Sequence, residues 1–215
     1  MSEYVKFSCQ CARADITFFG GLAELNEYRR KLLRLRLIGV DSNGTGFGNL
    51  SIRDGATDNF CITGSATAAM PELALADCAK VVAYDFNRNW VQYEGSAIPS
   101  SESLTHAAVY GSDATARAVI HCHDLKLWAA LQNHAPTSSK DAEYGTPELA
   151  YEIMRLFKNG EVESRKILVM AGHEGGIVTF GKDLDEALAV LIREWAQSSA
   201  YVDSDLRGRT LRANA

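Results

Sequence analysis

Long apolar segments are missing from this sequence. No run of hydrophobic residues approaches the ~20 that a helix needs to cross a bilayer. The first six residues, Met-Ser-Glu-Tyr-Val-Lys, also lack the charged and apolar regions of a secretory signal peptide. We therefore expect a cytoplasmic protein without a membrane-bound segment.

Cysteines are few and do not follow the spacing of a disulfide framework. There are five of them, an odd number: Cys9, Cys11, Cys61, Cys78 and Cys122. The Cys9–Cys11 pair could chelate a metal ion, but no matching second pair follows it. We expect all five to be reduced, free thiols.

An excess of positive charge is missing too. The formal net charge is −5 and the pI is about 5.6, which argues against nucleic acid or an anionic membrane as a partner. The one basic cluster, residues 29–36, is interleaved with leucines, so it favours the solvated face of a helix.

With 215 residues, 47% of them hydrophobic, the chain can form one good-sized core. No repeat, linker or low-complexity segment divides it. We expect a single domain over residues 1–215, with a core at about 22–200 and a loose polar tail from residue 204.

Periodicity predicts alternating helices and strands. The expected helices are 22–38, a short one from Pro71, one from about 102 to 110, 125–131, 147–158 and 183–201. The expected strands are 50–53, 60–63, 80–84, 90–93, 119–123, 167–171 and 177–180, with a further extended segment at 14–19. Turn formers between the first two pairs of strands predict two hairpins.

The segment Val119-Ile120-His121-Cys122-His123 reads as a short buried strand with two imidazoles one residue apart. Side chains at i and i+2 of a strand leave the same face, so the α-carbons of His121 and His123 lie about 6.5–7 Å apart. Two such rings can converge on one cation. Alone, the pair is a weak signal, because most such pairs in soluble proteins are structural or incidental.

Two other segments can complete a metal site. Glu102 lies at a predicted helix start and His173 follows a predicted strand. Catalytic zinc takes three protein ligands of the His/Glu type and keeps one position open. Taken singly, Glu102 can equally be a helix-capping acid, and His173 a loop histidine bonded to the backbone.

Three further pairs of residues combine backbone N–H, hydroxyl or amide donors in turn-like segments, which suits an anion. They are Gly48-Asn49, Thr63-Gly64 and Ser100-Ser101. Such residues are also ordinary turn formers.

Together and in this order, the motifs resemble the class II aldolase/adducin family, and within it the fuculose-phosphate aldolases. The matching motifs are Gly48-Asn49-Leu50-Ser51, Ile62-Thr63-Gly64, Pro99-Ser100-Ser101-Glu102, His121-Cys122-His123, Tyr144-Gly145-Thr146-Pro147-Glu148-Leu149 and Gly172-His173. The resemblance covers roughly residues 22–200. It implies a three-layer α/β/α fold with a central, mostly antiparallel sheet, and a homotetramer.

The resemblance also implies roles for individual residues. His121, His123 and His173 would bind Zn²⁺ or another divalent ion such as Mn²⁺ or Co²⁺, and Glu102 would be the proton-transfer residue. The substrate phosphate would be held by Gly48, Asn49, Thr63, Gly64, Ser100 and Ser101. We expect burial to raise the pKa of Glu102.

The implied activity is that of a metal-dependent aldehyde-lyase of carbohydrate metabolism. It would cleave a carbon–carbon bond of a small phosphorylated ketose or related hydroxy-carbonyl compound through a metal-stabilised enediolate. An epimerase, dehydratase or decarboxylase on the same scaffold is the first alternative. A non-catalytic adducin-like assembly module is the second.

Two features depart from the family's pattern. Asp124 follows the His-x-His segment where many members have an uncharged residue, and it is either a partner of the metal ligands or a helix N-cap. The segment 134–144 is short and lacks an obvious equivalent of the aldolases' proton-donating tyrosine. His134 and Tyr144 are the residues there that could approach the site.

His106, four residues after Glu102, is interpreted as a supporting residue.

Overall fold

A computed structural model of the chain describes residues 5–17, 19–132 and 134–213, with side chains up to residue 198. The strands are β1 (Ser8–Arg13), β2 (Gly39–Val40), β3 (Gly46–Phe47), β4 (Asn49–Arg53), β5 (Phe60–Thr63), β6 (Cys78–Asp85), β7 (Trp90–Glu94), β8 (Ala118–His123), β9 (Ile167–Val169) and β10 (Gly176–Gly181). The α-helices are α1 (Leu22–Arg34), α2 (Ser103–Ser112), α3 (Leu125–Leu131), α4 (Pro147–Lys158), α5 (Glu161–Arg165) and α6 (Leu184–Ala213).

Eight strands form one sheet in the order β1-β7-β6-β5-β4-β8-β10-β9. Every neighbouring pair is antiparallel except β1 with β7. The prediction of a mixed α/β fold with a mostly antiparallel sheet is therefore confirmed. Both predicted hairpins, β4–β5 and β6–β7, are also confirmed.

Strand β8 lies inside the sheet, between β4 and β10, and its alternate side chains enter different cores. Val119 packs in a cluster that includes residues of α2 and α4. Ile120 and Cys122 pack in a second cluster with residues of α1, α3 and α6. This separation supports the predicted three-layer arrangement, which stays a prediction.

Several predicted elements differ from the observed ones. The first strand is β1 at Ser8–Arg13 rather than an extended segment at 14–19, of which Phe18 lies outside the described residues; pairing with β7 decides its position. Helix α1 ends at Arg34 because Arg36 takes a left-handed conformation, with φ of 59°. Pro71 opens no α-helix; one 3₁₀ turn follows at Leu75–Asp77.

The later elements show three more differences. The short helix α5 was not predicted, and the strand expected at 167–171 ends at Val169. Helix α6 runs to Ala213, past the predicted end at residue 201, so its backbone contradicts a loose tail. The side chains there lie outside the described ones. None of the helices described combines the length and apolarity that a bilayer crossing requires.

The basic cluster is not wholly solvated, because Arg29 is only 1% exposed. Its guanidinium nitrogens donate to the backbone carbonyls of Thr67, Ala68 and Met70 at 2.6–3.2 Å. The prediction of a solvated face is therefore wrong for this arginine. Periodicity could not reveal it, since the carbonyl acceptors lie about forty residues away in the chain.

We expect Arg29→Met to lower the free energy of unfolding by about 2–4 kcal/mol, because buried carbonyls lose charged donors. Urea denaturation measures the change. Arg30→Met is the matched control: Arg30 is exposed and lies 3.8 Å from Glu72, and such pairs contribute under about 1 kcal/mol. Equal losses of unfolding free energy in the two variants would show that the buried guanidinium does not stabilise the segment 67–70.

Candidate metal centre and active site

The two histidines of the His-x-His segment lie at the end of β8, where its neighbour β10 begins. Gly176, the first residue of β10, is the register partner of His123. A tight turn joins β9 to β10, and within it the Gly176 N–H donates to the His173 carbonyl at 2.8 Å. This turn places His173 beside the end of β8.

The three imidazoles predicted as ligands meet at one point. One ligand atom from each of His121, His123 and His173 lies within 4.8 Å of the others. The ring centroids are 4.9 Å (His121–His123), 5.2 Å (His121–His173) and 4.5 Å (His123–His173) apart. The structure therefore assembles the predicted histidines into a cluster with the spacing that one ion requires.

The cluster is largely buried, which favours uncharged imidazoles. Burial lowers the pKa of His121 well below its ordinary value. Burial and the neighbouring His173 lower the pKa of His123 to about 4, against a smaller opposing effect of Glu102. These two rings are neutral at pH 7, as a metal ligand must be.

Glu102 contributes a carboxylate to the same point. It occupies the N-cap position of α2 without capping the helix through its side chain, and it is 2% exposed. Its Oε1 lies 3.3 Å from His173 Nδ1, and its Oε2 accepts a hydrogen bond from the Thr105 hydroxyl at 2.6 Å. The alternative of a capping acid is therefore not supported.

The pKa of Glu102 differs from the expectation. Burial raises the pKa of this carboxyl, as predicted, but the opposing effects of His121, His173 and Thr105 outweigh it and lower the pKa to about 2. The rise in the Glu102 pKa predicted from burial alone is therefore wrong, because the same packing places two imidazoles and the Thr105 hydroxyl beside the carboxylate.

The donor atoms of the site fit a divalent ion. Within the described part of the chain, four buried atoms of the site have no hydrogen-bond partner: Glu102 Oε1, His121 Nε2, His123 Nε2 and His173 Nδ1. A Cβ at Gly176 would lie 3.4 Å from His121 Nε2, so glycine leaves room beside the cluster. Imidazole and carboxylate donors suit Zn²⁺, Mn²⁺ or Co²⁺.

The cluster opens into a cavity of about 760 Å³. Five of the six predicted anion-binding residues line it: Gly48, Asn49, Gly64, Ser100 and Ser101. Thr63 is not among the described residues that line it. It is 2% exposed, and its hydroxyl accepts a hydrogen bond from the Leu50 N–H at 3.4 Å inside the sheet.

The wall formed by residues 65–69 was not predicted as part of the site. Ser65 and Thr67 bring two more hydroxyl groups to the cavity lining. The Thr67 hydroxyl donates to the Gly64 carbonyl at 2.7 Å, and Arg29 holds the Thr67 carbonyl. The small, polar composition of this segment is the only sequence signal for it.

Tyr144, one of two residues considered in the short segment 134–144, lines the cavity and lies against the cluster. Its ring centroid is 4.3 Å from that of His173, and Lys6 Nζ lies 3.6 Å from the Tyr144 centroid. His134 is not among the described residues of the lining. The sequence signal for Tyr144 was its position before the Gly145-Thr146-Pro147 helix start.

The geometry also bears on Asp124 and His106. Of the two alternatives for Asp124, the structure shows the N-cap of α3, since its Oδ1 accepts a hydrogen bond from the Leu127 N–H at 2.8 Å. His106 is fully buried, and its Nδ1 lies 2.6 Å from the Ser51 hydroxyl. It is not one of the three histidines of the cluster, and its supporting role stays a prediction.

The comparisons with known proteins agree with this geometry. The family model for the class II aldolase and adducin N-terminal domain matches residues 36–194, well over half of the chain. The chain belongs to the class II aldolase and adducin family. A search of curated proteins found no match.

Solved structures of class II aldolases share the fold. An L-fuculose 1-phosphate aldolase superposes with a TM-score of 0.69 at 24% identity, covering 89% of each chain. The L-fuculose-1-phosphate aldolase of Thermus thermophilus gives a TM-score of 0.61 at 18% identity, over 87% of this chain and 95% of that one. YgbL of Escherichia coli, named as a candidate aldolase/epimerase/decarboxylase, gives a TM-score of 0.61 at 16% identity, over 83% of this chain and 86% of that one. At these identities the likeness concerns the fold.

Proposed function

We propose that this class II aldolase family member is a divalent-metal-dependent lyase that cleaves a carbon–carbon bond in a small phosphorylated ketose or a related hydroxy-carbonyl compound. The observation that carries the proposal is the meeting of three imidazoles and the Glu102 carboxylate in one buried corner of an open cavity. A non-catalytic module has no need to bury one atom of each of these four groups without a hydrogen-bond partner.

His121, His123 and His173 would hold the ion. When bound, a divalent ion polarises a substrate carbonyl and stabilises negative charge that develops beside it. The same three residues are the cluster found from the geometry of the described chain. Zn²⁺ is the ion that the family most often uses, and we propose it here.

Glu102 is proposed as the group that moves the proton. Its lowered pKa keeps Glu102 ionised at pH 7, which is the form that can accept a proton. The shift itself weakens the carboxylate as a base, so the proposed role rests on its position beside the imidazoles and the cavity. The Thr105 hydroxyl fixes Oε2 at 2.6 Å, which leaves Oε1 on the side of the imidazoles and the cavity. A carboxylate held in this way needs little reorganisation before it accepts a proton.

An anionic end of the substrate would be bound by uncharged donors. Among the described residues that line the cavity, the charged ones are all acidic: Asp41, Glu102, Asp124 and Glu174. A phosphate would therefore rely on N–H and O–H groups at Asn49, Gly64 and Ser100-Ser101, as neutral donors in turns can provide.

Product analysis tests the proposal. The zinc-loaded protein is incubated with ketose 1-phosphates, ketose 5-phosphates and phosphorylated sugar acids, and products are followed by NMR. An aldehyde and a shorter carbonyl compound, formed only with the metal, are the expected result. Epimerised substrate, released water or carbon dioxide would instead indicate the epimerase, dehydratase or decarboxylase. A protein that binds no metal would favour the adducin-like module.

A homotetramer is part of the same proposal, since it is the assembly that the family resemblance implies. A cytoplasmic location and a role in carbohydrate metabolism belong to it as well. Light scattering coupled to gel filtration would measure the mass of the assembly directly against the 23.5 kDa chain.

A further inference from the structure

Asn49 and His121 face each other across strands β4 and β8. They are register partners in the sheet, and both are buried, with exposures of 6% and 1%. The Asn49 amide Nδ2 lies 3.3 Å from His121 Nδ1. Within the part of the chain that the structure describes, the His121 ring has no second hydrogen-bond partner, because Nε2 has none.

The proton on the His121 ring decides whether the ring can bind a cation. A neutral imidazole carries one proton, on either Nδ1 or Nε2. If the Asn49 nitrogen donates to Nδ1, the proton lies on Nε2, and Nε2 then cannot ligate a metal. With Nδ1 engaged by Asn49, however, Nε2 is the nitrogen that remains for the ion.

The Asn49 amide itself resolves the conflict. Its Oδ1 is buried without a partner, although a carbonyl oxygen is a good acceptor. A half-turn of the amide exchanges the oxygen and nitrogen without changing the volume of the side chain. The oxygen then lies beside Nδ1 and accepts a hydrogen bond from the Nδ1–H, and Nε2 carries no proton.

The half-turn leaves the amide nitrogen at the former position of the oxygen, where the described structure provides it with no partner. One buried polar atom of Asn49 therefore lacks a partner in either orientation, so the His121 proton decides which orientation is adopted.

We propose that Asn49 is a positioning residue of the metal centre. Its amide oxygen accepts a hydrogen bond from the His121 Nδ1–H and so holds Nε2 as the unprotonated ligand. This inference rests on the proposed function, because it assumes that the histidine cluster binds a metal ion. It goes beyond a role in anion binding alone.

Zinc affinity tests the link to the metal. The full-length chain and its variants are titrated with Zn²⁺ against a chromophoric chelator. Asn49→Leu should weaken binding about 10- to 100-fold, the usual cost of losing a residue that orients a ligand. Asn49→Asp keeps an acceptor beside Nδ1, and a carboxylate there also orients a ligating imidazole, so zinc affinity should not fall. Asn43→Leu, the same change at an exposed asparagine that is not among the described residues of the lining, should leave zinc affinity unchanged.

Unchanged affinity in Asn49→Leu, or equal weakening in Asn49→Asp and Asn49→Leu, would overturn the proposal.

The tautomer of His121 in the metal-free protein is an independent test. Long-range ¹⁵N–¹H spectra of the histidine-labelled chain, assigned with His121→Ala, should show the proton on Nδ1. A proton on Nε2 would overturn the proposal even if Asn49→Leu does not fold. If the chain binds no zinc, the proposed function fails, yet the tautomer still decides what Asn49 does.

Discussion

His121→Ala is expected to lose metal binding and turnover together. His121 supplies one of the three imidazoles of the cluster, so its removal leaves the ion with two imidazole ligands. The loss of zinc affinity should exceed about 100-fold, the upper end for residues that only orient a ligand. Chelator competition and metal analysis of the purified variant measure it.

His134→Ala is the matched control for this experiment, since His134 lies outside the three-histidine cluster. It should retain one ion per chain with unchanged affinity. Stoichiometric metal and full turnover in His121→Ala would contradict the assignment of the cluster as the metal centre. Equal losses in both variants would indicate a general effect on folding instead.

Glu102→Gln is expected to keep the metal and lose turnover. The amide has the shape of the carboxylate and can still accept the Thr105 hydrogen bond, but it cannot accept a substrate proton at pH 7. Removing a general base typically costs about 10²–10⁴-fold in rate. The measurements are kcat and the exchange of the carbon-bound proton in deuterated water, followed by NMR.

Glu148→Gln serves as the control because Glu148 is an exposed acid in the first turn of α4. It should exchange the substrate proton at the original rate. Undiminished exchange in Glu102→Gln, with metal still bound, would refute the proton-transfer role but leave the metal centre intact. Loss of metal in Glu102→Gln would instead make the carboxylate a necessary ligand.

Much of the local structure followed from patterns within a few residues. Helix α4 begins at residue 147, as predicted: the Thr146 hydroxyl accepts a hydrogen bond from the Leu149 N–H, and Pro147 takes the first helical position. Asp124 caps α3 in the same manner. These features are predictable because both partners lie within one turn of helix.

Features that depend on distant partners were predicted less well. Strand β1 has no clear period of its own and forms by pairing with β7, about eighty residues away in the chain. Arg29 was predicted on a solvated helix face, but its guanidinium donates to backbone carbonyls within residues 67–70. Thr63 matched an anion-binding motif, but its hydroxyl accepts a hydrogen bond from the Leu50 N–H within the sheet.

The sequence by itself determined which chemical groups the site has, and that His121 and His123 share one face, because the period of a strand is a local property. It also carried the ordered motifs that identify the family. Only the tertiary structure decided that His173 and Glu102 lie beside that face and that Asn49 lies opposite His121. It also brought His121, His173 and Thr105 close enough to Glu102 to lower its pKa. The reason is that strand order and turn length, which set these distances, result from the packing of the whole chain.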